Sequence, residues 1–241
     1  MTGAYAMLAN GGKKIRPTLI DRVQDRWGKS VWQHDKRACT GCTVDQWRNQ
    51  PEPDVPDDRT QVIDPHTAYQ MTSMLEGVVQ RGTATIVRQA LPDVPIAGKT
   101  GTTNESKDVW FVGYTPDLAV GVFIGYDTPT PMGKAATGGQ VAAPIFANFM
   151  KLALADKKAA PFRIPPGIKL VRVNGKTGLK AQPGEEADVI LEAFKPNEEP
   201  DDAYSVIGFN NSGASANAEG GGFSQPTSDD PERSIVRGVR P

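Results

Sequence analysis

Two periods in the placing of apolar residues, one near 3.6 and one of 2, predict the elements of this chain. Ala68, Met71, Leu75, Val78 and Val79 share one helical face. Asp64-Pro65 opens that helix, an N-cap residue followed by the residue best suited to a first turn, and Gly82 closes it. Thr83 is placed to cap a second, short helix running to Leu91 and stopped by Pro92. A third is expected after Gly138-Gly139, with Val141, Ile145, Phe149 and Leu152 as its apolar face and Pro144 tolerated in its first turn. Thr2–Asn10 reads as the end of a further helix, with Gly11-Gly12 as a left-handed stop.

The strand signals lie between these helices. Ile15–Asp25 and Val31-Trp32 flank Gly28-Lys29 as a first strand pair. Ile96–Thr102, Asp108–Tyr114 and Leu118–Tyr126 are three β-rich runs joined by short links, and short links make antiparallel neighbours. Pro116 sits where a type I turn wants proline. Ile168–Val173 and Leu179–Gln182 flank Asn174-Gly175 as a hairpin. Trp110, Phe111, Phe123 and Tyr126 are expected to pack in the core or across strands. The sum is an α+β fold: an antiparallel sheet with packed helices and a small β appendage.

Composition limits how much of the 241 residues can share that core. Beyond Pro196 the chain is rich in Asn, Ser, Gly, Asp and Pro, and 197–241 is expected to be a disordered tail. The net charge is −1 with signs interspersed, which excludes the basic footprint of a nucleic-acid binder. The longest apolar run, Leu118–Gly125, is far too short for a membrane span, and the first residues lack the basic start of an export signal. Cys39 and Cys42 form a lone C-x-x-C in a Pro-rich loop. A local disulfide and two idle thiols both fit it better than a metal site, although His34 and His66 are available. Both histidines read as surface residues.

The candidate chemistry is Lys99-Thr100-Gly101-Thr102-Thr103, on the first strand of the meander. An ammonium at a strand edge can polarise a nearby hydroxyl and attract a carboxylate. The glycine admits a ligand to the backbone, and the threonines offer hydroxyls and an N–H for an oxyanion. Lys99 and Gly101 project to one side and Thr100 and Thr102 to the other. The tripeptide alone is weak evidence, because Lys176-Thr177-Gly178 repeats it where turn chemistry suffices. A phosphate-loop reading of Gly98-Lys99-Thr100 fails at Asp93, where the first glycine belongs, and needs a helix after the lysine.

The surrounding run IAGKTGTTNESKDVWFVGYTPDLAVGVFIGYD resembles the third active-site motif and following strands of class A penicillin-binding proteins, the bifunctional peptidoglycan synthases of the penicillin-binding protein 1A type. AYAMLANGGKKIRPTLI, MTSMLEGVVQRGTA, GGQVAAPIFANFM and IKLVRVNGKTGLKA resemble segments of the same domain in the same order. The resemblance covers roughly residues 3–195 and implies a partial penicillin-binding/β-lactamase-like transpeptidase fold. It implies that Lys99 binds and polarises beside a reacting serine. Thr100 and Thr102, with Thr103 beyond them, would hold the terminal carboxylate of a D-Ala-D-Ala stem peptide or of a β-lactam. Gly101 would let the acyl group lie along the strand, and the Thr102 N–H would serve the oxyanion hole. No cofactor or metal is implied.

The family's reaction also needs S-x-x-K and S-x-N. Ser30, Ser73, Ser106, Ser205, Ser212, Ser215, Ser224, Ser228 and Ser234 all lack a lysine three residues on. Ser215-Ala216-Asn217 falls downstream of the strand, where the family has it upstream. The nucleophile is therefore expected on a preceding part of the same protein, with Met1 an internal position, and the chain is expected to be inactive alone. The expected division is 1–156 as the C-terminal part of the transpeptidase domain, 157–196 as a β-hairpin extension and 197–241 as tail. The resemblance places the parent in the cell envelope, on the periplasmic side of the inner membrane. Two rivals are a non-catalytic envelope interaction protein and a nucleotide-binding protein.

Overall fold

The computed structural model describes residues 1–42, 44, 46, 48–51, 53 and 55–200; most of the expected tail lies outside them. Helix α1 (Thr2–Ala9) ends at Gly11 and Gly12, whose φ values of 64° and 85° give the left-handed stop. Strands β1 (Arg22–Gln24) and β2 (Ser30–Gln33) pair antiparallel, so the first strand is shorter than Ile15–Asp25 suggested. Helix α2 (Pro65–Arg81) is capped by Asp64, whose side chain accepts from the Thr67 N–H. Helix α3 (Thr85–Ala90) follows after a tight turn.

The centre of the molecule is a three-stranded antiparallel sheet in the order β3 (Ala97–Thr102), β4 (Asp108–Tyr114), β5 (Ala119–Gly125). Its register sets Ala97, Lys99 and Gly101 opposite Tyr114, Val112 and Trp110 on one face. Thr100 and Thr102 lie opposite Phe111 and Val109 on the other. Both outer edges, of β3 and of β5, are unpaired among the described residues. One face is covered by α3 and α4 (Ala143–Ala153), where Phe111 and Phe146 meet edge to face at 4.8 Å, both fully buried. Each ring contributes roughly 1.5–3 kcal/mol by leaving water. The other face carries Tyr114 against Leu75 and Phe162. Thr72 donates to the Ala68 carbonyl at 3.0 Å, so the Tyr114 hydroxyl donates to Thr72 at 2.9 Å. Burial pushes the Tyr114 phenol up to about 12.

Four expectations need correction. The buried face of α4 is Ala143, Phe146, Ala147 and Met150, whereas Ile145, Phe149 and Leu152 are exposed. A wide π turn over Gly138–Ala142 precedes α4 and shifts the phase, so Val141, Ala142 and Ala143 all pack on the core and the buried face continues through Phe146, Ala147 and Met150. Second, β6 (Lys169–Asn174) has a further partner that the turn signals did not mark: its full ladder is with β7 (Val189–Phe194). The expected hairpin forms on the other edge of β6, through the Val173–Lys180 bridge, Asn174 N–H to the Leu179 carbonyl at 2.8 Å and Ala181 N–H to the Arg172 carbonyl at 2.9 Å. Third, Tyr126 is exposed, although Trp110 and Phe123 do form a cross-strand pair with ring centroids 4.5 Å apart. Fourth, His66 is half-buried, its Nε2 2.8 Å from the Pro166 carbonyl oxygen. Cys39 and Cys42 are joined as a disulfide with Cα atoms 5.5 Å apart, which decides between bridge and idle thiols. Among the described residues no helix is long and apolar enough to cross a membrane.

Candidate active site

Strand β3 is an edge strand, and hydrogen-bond phase decides which of its groups face outward. Thr103 N–H donates to the Asp108 carbonyl at 3.0 Å, just beyond the paired residues Thr102 and Val109. In an antiparallel ladder, paired residues alternate between bonded and non-bonded. Gly101 and Lys99 therefore spend their backbone groups on β4, and the N–H and C=O of Thr100 and Thr102 point to the open edge. The Lys99 side chain, exposed on the sheet face, bends to the same edge and donates to the Thr100 carbonyl at 2.9 Å. Its Nζ is 3.5 Å from Thr100 Oγ1. An ammonium, two outward N–H groups and two hydroxyls thus converge between Lys99 and Thr102.

Beside this edge opens a cleft of about 660 Å³, lined by Thr83, Thr85, Ile86, Thr100, Thr102, Thr137, Gly139, Gln140 and Pro144. Its wall across from β3 is the turn that leads into α4. Gly138 and Gly139 let that turn press onto the strand. A Cβ on Gly138 would lie 2.4 Å from the Trp110 carbonyl oxygen and 2.6 Å from that of Gly101. A Cβ on Gly139 would lie 2.5 Å from the Thr83 carbonyl oxygen. At that separation Gly138 N–H donates to Thr102 Oγ1 at 3.0 Å. Thr137 caps the turn, accepting from the Gln140 N–H.

Of the residues singled out from the sequence, Lys99, Thr100, Gly101 and Thr102 lie together at the edge. Thr103 does not face the cleft. Its hydroxyl accepts from the Asp108 N–H at 2.8 Å and closes the β3–β4 connection. Because Lys99 lies within a strand that continues to Thr102, the phosphate-loop reading is overturned: no helix begins there. Sequence reasoning missed Thr83, Thr137 and Gln140 as cleft residues. Thr83 does not cap α3, which starts two residues later with no side-chain cap. The only sequence signal for the glycine pair was their adjacency before an apolar helix.

The family described as penicillin binding protein transpeptidase domain matches residues 1–151, and the chain belongs to that family. Penicillin-binding protein 1A of Rickettsia conorii is 45% identical over 199 residues, covering 82% of this chain and 24% of the relative. Penicillin-binding protein 1A of Pseudomonas aeruginosa is 34% identical over 234 residues, covering 83% of this chain and 28% of the relative. The chain thus spans about a quarter of the length of these curated relatives. Among solved structures, penicillin-binding protein 1A from Haemophilus influenzae superposes with a TM-score of 0.66 at 25% identity, covering 83% of this chain and 32% of that one.

Proposed function

We propose that this chain supplies the Lys-Thr-Gly wall of a serine-type D,D-transpeptidase site that cross-links peptidoglycan stem peptides. The observation that carries the reading is the open edge of β3. Lys99 and the backbone and hydroxyl groups of Thr100 and Thr102 meet there beside a cleft. A peptide laid along that edge can add a strand, with its backbone bonded to Thr100 and Thr102. Its terminal D-alanine carboxylate meets the Lys99 ammonium and the threonine hydroxyls, and a β-lactam presents the same carboxylate. Gly101 has no side chain to stand between an acyl group and the strand. The Thr102 N–H is one donor for the oxyanion that forms on attack.

The attacking serine and its lysine come from elsewhere, since no serine of this chain is followed by lysine at the third position. Without a nucleophile only binding and oxyanion stabilisation remain, and the chain alone forms no acyl-enzyme. Residues 1–156 are the transpeptidase segment and 157–196 an extension docked through Gln70, which donates to the Ala193 carbonyl at 2.9 Å. The Cys39–Cys42 disulfide suits an oxidising compartment, in keeping with the periplasmic side of the envelope.

Fluorescent penicillin tests this reading. It should leave no covalent adduct on the 241-residue chain. Joined to a segment that supplies S-x-x-K and S-x-N, the protein should acquire one. An adduct on the chain alone would refute its inactivity; a joined protein that stays unlabelled would refute the site.

A further inference from the structure

Thr83 lies in the link Gly82, Thr83, Ala84 between α2 and α3, one residue before the N-cap of α3. Its hydroxyl caps no helix. Its Oγ1 lies instead 2.7 Å from Thr100 Oγ1, across seventeen residues of chain. Neighbouring bonds hold it there. Gly82 ends α2 with its N–H on the Val78 carbonyl, and Ala84 N–H donates to the same carbonyl at 3.1 Å, so the turn is short and Thr83 projects at the edge of β3. From the far side Gly139 packs against the Thr83 backbone.

A hydroxyl has one proton and two acceptor positions, which makes the direction of each bond consequential. At Thr102 the direction is fixed. Gly138 N–H fills an acceptor position, so the Thr102 proton is available to the cleft. At Thr100 it depends on Thr83. We infer that Thr83 is a positioning residue: it donates its hydroxyl proton to Thr100, which turns the Thr100 proton into the cleft. Thr100 and Thr102 then meet a ligand as paired donors on one side of the strand. Two hydroxyl donors two residues apart, with an ammonium at the same edge, select a carboxylate over an uncharged amide, because charge-assisted hydrogen bonds are the stronger kind. This deepens the reading of the cleft given above and rests on it.

The 241-residue chain can be tested as it stands, since binding needs no nucleophile. Amide and threonine methyl resonances are followed during titration with N-acetyl-D-alanine and, separately, with its uncharged carboxamide. Thr83→Val should weaken the acid by about fivefold, the loss of the one neutral hydrogen bond that orients the Thr100 hydroxyl. It should leave the carboxamide within about twofold. Thr83→Ser keeps the donor and should stay within about twofold of the unaltered chain for both ligands. Thr83 is exposed, so its substitution spares the core. If Thr83→Val binds the acid as well as the unaltered chain while Lys99→Ala does not, the inference is wrong and the site stands. Equal losses for Thr83→Val and Thr83→Ser would also overturn it, showing a packing role. No response at Thr100 or Thr102 to the acid would sink the site and the inference together.

Discussion

Residues 99–101 and 176–178 spell the same tripeptide, yet one runs along an open sheet edge and the other is folded into a turn. In the second copy the three backbone N–H groups, the threonine hydroxyl and the lysine ammonium all find partners within the turn region. The N–H groups of Lys176 and Thr177 both donate to Asn174 Oδ1, at 2.9 and 3.1 Å. Gly178 N–H donates to the Asn174 carbonyl, and its φ of 72° closes the turn. Lys176 Nζ pairs with Asp188 at 2.6 Å. In the first copy the same residue types are left facing outward by the phase of the ladder, beside a cleft that two glycines hold in place. The chemistry of Lys-Thr-Gly therefore lies in which groups the backbone leaves unspent.

Substitution at the glycines should separate the two contexts most sharply. Gly138→Ala drives a methyl into the backbone of Gly101 and Trp110 and should cost about 3 kcal/mol, read by chemical denaturation. Gly175→Ala, whose Cβ would meet nothing nearer than 3.4 Å, should cost less than about 1 kcal/mol. Comparable losses at both sites would break the contrast.

A titration comes next in size. Glu76, on the helix that packs against β3, has its carboxyl pushed up to about 7 by burial. Between about 4.5 and 7 the folded chain then binds more protons than the unfolded one, so stability falls as pH rises through that window. Glu76→Gln should remove the slope, raising the melting temperature by about 3 °C at pH 8 and leaving it unchanged at pH 4. A variant that melts lower at pH 8 would show that the carboxylate has a partner there. The smallest effect should fall on the second tripeptide. Asn174→Ala removes the acceptor of two N–H groups and should cost roughly 0.5–1 kcal/mol of local stability. Carboxylate binding at β3 should not change.

The elements were largely legible because two simple periods govern them: α2 and the β3–β4–β5 meander fall close to where alternation and helical spacing put them. The misses share a cause, which is that partners remote in sequence override local signals. The π turn before α4 inserts a residue and moves the buried face from Ile145 and Phe149 to Phe146 and Met150. The strand β7 takes the longer ladder with β6, while the nearer Leu179–Gln182 keeps the opposite edge. At the site, Lys99 through Thr102 were visible as a motif, but Thr83 was not. A threonine before a helix looks like a cap, and only the approach of β3 shows that its hydroxyl is used elsewhere.

The most direct test of the central claim is the rate at which fluorescent penicillin acylates the protein that joins this chain to a serine-bearing segment, compared between Lys99→Ala and Lys176→Ala. The account predicts a loss of at least about a hundredfold for Lys99→Ala, the scale of removing one electrostatic stabiliser of the transition state, and an unchanged rate for Lys176→Ala. Equal rates for the two variants would contradict it.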